Sequence, residues 1–578
     1  MDKKQVAAIL EEMGTILEIQ GANPFRTRAF HNGAIILSGL AEDLQELVRS
    51  DRLTEIDGIG KGLEAIIKDL VRSGTSQEYE ELRRTLPPGL LEIVRIPGLG
   101  PKRVRMLYER LGIESVTQLR EAAEKHRLSE IDGFGEKSEQ NILRGIERLR
   151  KSSDKHHIDK AMEAARKVCN ALRTIPGVRQ CELAGSLRRR KEVIGDIDIV
   201  VAAVEGDRTS IMDAFVAQGG PIIAKGDTKS SITLPGGINC DLRIVSEAEF
   251  PFAMNYFTGS KEHNVEMRSL ARKKGWSLNE YAFSPVEGAV QKGKLPTLRN
   301  ESDIYRFLGL TYVPPELREN LGEFEASQNG ALPHLIEEND LQGTFHCHTT
   351  YSDGSNSLEE MSNAAKAKDW KYWGVSDHSR AAAYAGGMTP EKARSQLKAI
   401  DKLNRGSGTV RIFKGVECDI MADGSLDYSD RLLALYEYVV ASIHGKFNMT
   451  EAEGTKRLIK AVKNKYVSII GHPTGRVLLS RDAYPVNMSK VIQAAGDYGK
   501  AIEINAHPYR LDLDWRLVRL AKEKKVIIAV NPDAHTVDGL NDVQYGIGIA
   551  RKGWLEKKDV LNAWPPEKVE KFFANQKR

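Results

Sequence analysis

Several things this 578-residue chain has little of narrow what it can be. Its five cysteines (Cys169, Cys181, Cys240, Cys347, Cys418) are scattered, odd in number and never in CxxC spacing, which excludes a disulfide framework and a thiolate zinc site and fits a reducing compartment. No apolar run approaches the ~18 residues that a membrane span needs. The opening MDKKQVAAILEEMGTILEI mixes charge with helical apolar spacing and lacks a signal peptide's basic, apolar and cleavage regions, so a cytoplasmic protein without membrane contact is expected. Charge of one sign is also scarce: the formal net charge is +4, and residues 1–150 carry 23 Lys+Arg against 25 Asp+Glu, a net of −2. Bulk electrostatics therefore announces no polyanionic partner, and any such partner must be recognised by local geometry. The length is too great for one core and predicts three or four domains.

What is present is most regular in the last 240 or so residues, where short apolar runs recur about every thirty positions and each ends in a metal-ligating side chain. The runs are TFHCH (His346, His348), YWGVSDH (Asp377, His378), RIFKGVEC (Glu417), YVVASIH (His444), VSIIGHP (His472), AIEIN (Glu503, Asn505) and VIIAVNPDAH (Asp533, His535). Thirty residues is one strand plus its crossover helix, so the polar groups converge at the carboxyl ends of parallel strands in a barrel. Asp353 reaches the same mouth from the first loop. Imidazole with carboxylate suits Zn, Mn or Fe, and nine candidates (His346, His348, Asp353, His378, Glu417, His444, His472, Asp533, His535) are too many for one ion. Two or three ions sharing carboxylates would lower the pKa of a bound water and stabilise charge on a phosphate oxygen, which is hydrolytic phosphoester chemistry. HCHTTYSDG, SDHS, GVECDI, SIH, GHP and NPDAH resemble the successive motifs of the PHP (polymerase and histidinol phosphatase) family from about residue 340 onward. That resemblance implies a distorted barrel with up to three ions, Mn2+ and/or Zn2+. The assignment of ligands to ions stays open.

Residues 1–150 carry a different repeat. IDGIGKG (56–62), IPGLGPK (96–102) and IDGFGEK (131–137) each place Gly-x-Gly between an apolar residue and a helical pattern, at a period of roughly forty residues or less. Two glycines allow a sharp turn and close backbone approach, and the following helix offers free N–H groups to a phosphate without much side-chain charge. A single Gly-x-Gly simply ends many helices. Three in tandem resemble helix-hairpin-helix DNA-binding units, with Gly58, Gly60, Gly98, Gly100, Gly133 and Gly135 at the turns and Lys102, Arg103 and Arg105 flanking the second. No GxGxxG follows a strand, and Gly546 to Gly548 is an equally weak nucleotide signal.

A second constellation lies between. In IGDIDIVVAAV, Asp196 and Asp198 share one strand face with Cα atoms about 6.5 Å apart, and GINCDLRIV offers Asp241 between the same apolar flanks. Should these strands pair, three carboxylates meet and demand cations; oxygen donors of this kind suit Mg2+. Upstream, AGSLRRR supplies Gly185 and Ser186 in a turn with Arg188 and Arg189 behind it, a set suited to a triphosphate. GS, GDIDI and a third Asp in a later strand resemble the nucleotidyltransferase signature, and YFTGS (256–260) narrows it to the family X DNA polymerases. The resemblance implies that Asp196 and Asp198 bind both metals and Asp241 the catalytic one, and that Ser186 and Arg189 hold the triphosphate. It places Tyr256 and Phe257 on the sugar and base, a turn at Thr258 and Gly259 against a 2′-hydroxyl, and Asn264 and Arg268 toward the minor groove. One departure concerns 5′-deoxyribose phosphate excision: the family's Schiff-base lysine corresponds to Ile66, which cannot form an imine, and neither Lys61 nor Lys68 has the right spacing. Asn23, Pro24, Phe25, Arg26 and Arg28 remain a candidate 5′-phosphate pocket.

The expected chain is thus multidomain α+β and α/β: a helical helix-hairpin-helix N-terminal region, a nucleotidyltransferase-type palm with a mixed sheet, and a C-terminal distorted (β/α)7 PHP barrel. Its divisions are 1–88 and 89–151 (helical, one and two hairpins), 152–248 (palm), 249–316 (nucleotide-binding subdomain), 317–339 (a polar, proline-bearing linker) and 340–578 (barrel). Joined, the resemblances point to bacterial two-module family X polymerases, hence to a monomer acting on gapped or primed DNA with deoxynucleoside triphosphates. Short-gap filling in base excision repair, 3′–5′ exonuclease and AP endonuclease cleavage are the activities implied. The rival readings make the barrel a small-molecule phosphatase or a structural module.

Overall fold

The computed structural model describes residues 1, 3–40, 44–96, 98–152, 154–292, 294–406 and 410–577. The first helical unit packs Lys3–Ile19, Pro24–Gly39 and Lys61–Ser73 around Leu10, Met13, Leu37, Ile67 and Leu70. Asn23 caps the second helix by accepting from Phe25 N at 2.8 Å, with Pro24 in its first turn. A second helical core gathers Leu90, Ile93, Leu107, Leu119, Phe134 and Ile142. The three Gly-x-Gly turns are near copies: the leading glycines, Gly58, Gly98 and Gly133, have φ of +89°, +87° and +87°, open only to glycine at low cost.

The palm is a five-stranded sheet in the spatial order Val178–Leu183, Asp196–Ala203, Asn239–Val245, Lys229–Thr233, Ile222–Lys225. Its central pair, Asp196–Ala203 with Asn239–Val245, is parallel and the other pairings are antiparallel. Beyond Asp198 the strand is apolar on both faces because both are covered. Ile197, Ile199 and Val201 join the core of helix Ile158–Arg173, while Val200 and Ala202 pack on Phe250 and Met254 of helix Phe250–Thr258.

The stretch 317–339 differs from the loose linker expected. Leu317, Arg318, Glu323 and Phe324 are buried, and Glu323–Gln328 is helical. The fully buried Arg318 donates to the Val313 carbonyl at 2.9 Å and to Glu301 at 2.7 Å, and Glu323 lies 2.9 Å from His263 Nδ1. Polar residues that read as solvated are paired inside the fold instead.

The barrel is seven parallel strands in sequence order, Gly343–Thr344, Tyr372–Val375, Arg411–Asp419, Tyr438–Ser442, Ile469–Ile470, Ala501–Asn505 and Ile528–Asn531. First and last strands approach through Phe345 N donating to Asn531 Oδ1 at 3.1 Å, so the barrel nearly closes. Phe345, Tyr372, Phe413, Tyr438 and Phe573 fill its interior; the Cβ positions of Gly374 and Gly415 are taken by the Tyr438 ring. The candidate ligands sit at the carboxyl end. No helix among the described residues is long and apolar enough to cross a membrane.

Glu301 joins the palm to the 317–339 stretch by accepting from Arg188 at 2.5 Å and Arg318 at 2.7 Å. Burial opposes its charge, but the two guanidiniums hold its carboxyl down to about 2. A depressed carboxylate stabilises above its unfolded pKa and loses that contribution as pH falls through the folded one. Acid melts should therefore show wild type losing more stability than Glu301→Gln from about pH 4.5 down to about 2, the difference between the two closing across that range. At neutral pH the Gln variant should be less stable by about 3 kcal/mol, because the buried Arg318 loses its carboxylate partner and the half-buried Arg188 loses one of its two partners.

Candidate active sites in the palm and the barrel

Parallel register puts Asp198 directly beside Asp241 and Asp196 beside Asn239, so the three carboxylates meet at one end of the central strand pair. Burial first, then the charges of Asp196 and Asp241, pushes the Asp198 carboxyl up to about 7. Arg189 and Arg243 oppose this shift without cancelling it, and Lys229 Nζ lies 3.8 Å from Asp241. The donors therefore fit divalent cations, and the buried Ser186 Oγ alongside has no protein partner. Gly185 has φ +60°, and a Cβ there would sit 2.0 Å from Asp198 Oδ2, so only glycine lets the Gly-Ser turn approach the acids. A cavity of about 810 Å³ opens along Ser186, Asp196 and Asp241.

The nucleotide-side candidates are brought near but arranged differently from expectation. Tyr256 and Phe257 lie edge to face at 5.2 Å, Phe257 beneath the Arg243 guanidinium at 4.9 Å. Gly259 turns the chain with φ +70°. Asn264 donates to the Tyr256 carbonyl at 2.7 Å, leaving its Oδ1 buried and unpaired, while Arg268 is exposed and donates to the Asn264 carbonyl at 3.3 Å. Arg189 does not project freely: it donates to the Thr258 carbonyl and, at 3.2 Å, to Glu319.

In the barrel all nine candidate ligands converge. Glu417 is the hub, with His378 at 2.9 Å, His472 at 3.0 Å, His444 at 3.1 Å, His346 at 3.3 Å and His348 at 3.7 Å. Around it His346, His348 and Asp533 form one donor set, His378, Glu417 and His444 a second, and His348, Asp353, His378 and His535 a third. His472 joins through Glu417. The buried His472 Nδ1 has no hydrogen-bond partner, and His346 Nε2 and His378 Nδ1 lie 3.3 and 2.9 Å from Glu417 oxygens without hydrogen-bond alignment, an arrangement that metal ions would resolve. Burial, with His535 and His378 nearby, pushes His348 down to about 3, leaving it neutral as a ligand must be. Against the effect of burial, Glu417 and Asp419 raise His444 to about 10. His472 (φ +22°) and Asp533 (φ +53°) hold left-handed backbone without being glycine, strain of the kind found at functional sites.

Two run-ending residues lie behind the ligands. Asp377 is buried and accepts from Thr349 N, Thr349 Oγ1, Ser352 Oγ and Gln396 Nε2. Glu503 Oε2 lies 2.7 Å from His346 Nδ1, fixing that ring's orientation, and Glu503 also accepts from Asn531 and Asn505. Three neighbours escaped the sequence reading: Asp419, 3.3 Å from His444 Nδ1; Arg510, 3.7 Å from Asp533; and the exposed Tyr384, whose ring faces His378 at 6.4 Å. The Cys418-Asp419 step of GVECDI was the one available signal for Asp419.

Known proteins resemble the chain in the same segments. Residues 1–76 match the helix-hairpin-helix domain, 90–148 the SAM-like helix-hairpin-helix tandem, 253–319 the DNA polymerase beta thumb and 344–507 the PHP domain. The DNA polymerase/3′-5′ exonuclease PolX of Bacillus subtilis (strain 168) is 37% identical over 575 residues, 99% of each chain. The chain belongs to the PolX family. Rat DNA polymerase lambda is 26% identical over 289 residues, covering 46% of this chain and 48% of its own. A probable phosphatase of Thermoanaerobacter sp. (strain X514) is 33% identical over 179 residues, 29% of this chain and 70% of its own. A PolX polymerase and its PHP domain imply divalent cations, which the palm aspartates and the three barrel donor sets fit.

Within this PolX-family chain most hairpin glycines face open space: Cβ atoms at Gly60, Gly98, Gly100, Gly133 and Gly135 would meet nothing within 4 Å, whereas Gly58 is packed against Ile36. Lys102 is exposed. Arg103 is not a free phosphate contact; it donates to the carbonyls of Gly98 and Gly133 and lies over Phe134, tying the second hairpin to the third. Ile66 is core, and Lys68 is held protonated by Asp51 and Glu64. An ammonium so held makes a poor imine-forming amine, so borohydride trapping on 5′-deoxyribose phosphate DNA should yield no adduct at Lys68. Glu417→Gln should lose at least one bound ion per chain by elemental analysis, and chelation should lower the melting temperature of wild type more than that of the variant; unchanged metal content would remove Glu417 as the shared ligand.

Proposed function

We propose that this family X polymerase fills short gaps in DNA during base excision type repair, and that its barrel degrades DNA in the 3′–5′ direction and cleaves at abasic sites. One observation carries the reading: a single chain holds two separate carboxylate-centred cation sites, one on the palm sheet and one in the barrel mouth. Asp196, Asp198 and Asp241 would hold two Mg2+ ions, and the barrel's nine ligands up to three Mn2+ or Zn2+ ions. Bound there, such ions neutralise charge on phosphate oxygens and make an oxygen nucleophile available near neutral pH.

The chain's own residues do the positioning. Gly185 and Ser186 offer backbone and hydroxyl groups to a triphosphate, an arrangement supported by the unpartnered Ser186 Oγ and the missing Cβ beside Asp198. Gly259, with Arg189 bracing the Thr258 carbonyl, keeps the turn tight where a 2′-hydroxyl would sit. In the barrel, Glu503 and Asp419 orient His346 and His444, while Arg510 brings a cation to the mouth for a DNA phosphate. The hairpins grip the duplex through their exposed second glycines, a mode that needs no excess of basic residues.

On gapped DNA, Asp198→Ala should lower nucleotide incorporation by about a thousandfold, roughly 4 kcal/mol, and leave degradation intact, while His378→Ala should do the reverse. Loss of both activities in either folded variant would overturn the separation. Running the series in Mg2+ and in Mn2+, and comparing primed DNA with p-nitrophenyl phosphate, discriminates against a small-molecule phosphatase in the barrel.

A further inference from the structure

Four consecutive palm residues lying between the Gly-Ser turn and the metal aspartates are each seated on the barrel module. The Arg189 carbonyl accepts from Lys552 Nζ at 3.1 Å. Arg190, in left-handed backbone at φ +55°, packs its stem against helix Val543–Lys552 at Gly548, where a Cβ would come within 3.1 Å of it. Lys191 lies over the Trp515 ring at 5.4 Å, and Glu192 faces Arg516 at 3.6 Å and Arg476 at 3.7 Å. The same barrel arginines wall the cavity that runs along Ser186, Asp196 and Asp241.

Lys552 is the centre of this seat. Its side chain is fully buried, its ammonium 2.6 Å from Glu319 Oε1, 3.2 Å from the Glu316 carbonyl and 4.6 Å over Trp515. Glu319 is also the carboxylate that takes Arg189 Nε at 3.2 Å and Lys191 Nζ at 3.3 Å. A fully desolvated lysine is costly to keep, and this one bonds only to the palm loop and the segment behind it. Gly548 has its own reason here, since a Cβ would crowd the Arg190 stem and make it shift by a few tenths of an ångström.

We propose that Lys552, through Glu319 and the Arg189 carbonyl, is a positioning residue of the polymerase site, so that the PHP module shapes the pocket for the incoming deoxynucleoside triphosphate. This rests on the palm's reading as the polymerising site. Without Lys552, Glu319 is left to Arg189 and Lys191 alone, and the loop loses its backbone anchor. Ground-state capture of the triphosphate weakens, while the aspartates themselves are untouched.

The test is single-nucleotide gap filling by the full chain, with nucleotide KM and kcat measured separately and exonuclease assayed on the same preparation. Lys552→Met should raise the nucleotide KM about tenfold, less than a 1 Å misplacement can cost, with kcat changed less than about threefold and exonuclease retained; Lys552→Arg should restore most of the affinity. An unchanged KM in folded Lys552→Met overturns the proposal. If that variant does not fold, Arg516→Ala, on the exposed rim of the same seat, decides by the same readout: a raised KM supports the seat and an unchanged one overturns it. If wild type incorporates nothing, or incorporation survives Asp198→Asn, the reading of the palm fails instead.

Discussion

Carboxylates forced together by strand pairing repel, and burial deepens the repulsion because water no longer screens it. Both halves of this molecule are arranged around that constraint. In the palm, register leaves Asp198 and Asp241 side by side, and the cost appears as an Asp198 carboxyl raised to about 7. In the barrel the crowding is of donor atoms: five imidazoles lie within 3.7 Å of the Glu417 carboxylate, Asp353 and Asp533 stand beside them, and the His472 Nδ1 lone pair meets no partner. Each site is a crowded set of donor atoms that a divalent cation would fit, which ties folding geometry to phosphoryl chemistry.

Where no cation is called for, the same requirement is met by internal pairing. Glu301 is held by Arg188 and Arg318, and Glu319 by Arg189, Lys191 and Lys552. These pairs lie at the junctions of palm, thumb and barrel rather than within a single core. Desolvated pairs contribute less to net stability than to fixing one arrangement among several, so the junction defines the pose of the nucleotide-side residues more than it strengthens the fold.

Much of this was legible in the residues. Seven apolar runs ending in ligands correspond to seven parallel strands because a strand's end, and the side chain on it, are local properties. The pair Asp196 and Asp198 and the three Gly-x-Gly turns were readable for the same reason. Partner choice was not. Arg103 and Arg189 look like free phosphate contacts in a string of letters, yet one bridges two hairpins and the other braces a turn. The polar 317–339 stretch reads as solvated, but Arg318 and Glu323 are buried against partners that lie 17 and 60 positions away.

The sequence by itself therefore determined the element types, the order of the modules and which side chains are candidate metal ligands, since period, turn chemistry and residue type act over a few neighbours. Tertiary structure alone decided which carboxylates meet, which arginines are already engaged, and that Arg189 through Glu192 lie on the barrel's Lys552, Gly548, Trp515, Arg476 and Arg516. The reason is range: a charge chooses its partner among all groups that folding brings within a few ångströms, and those groups are hundreds of residues apart along the chain.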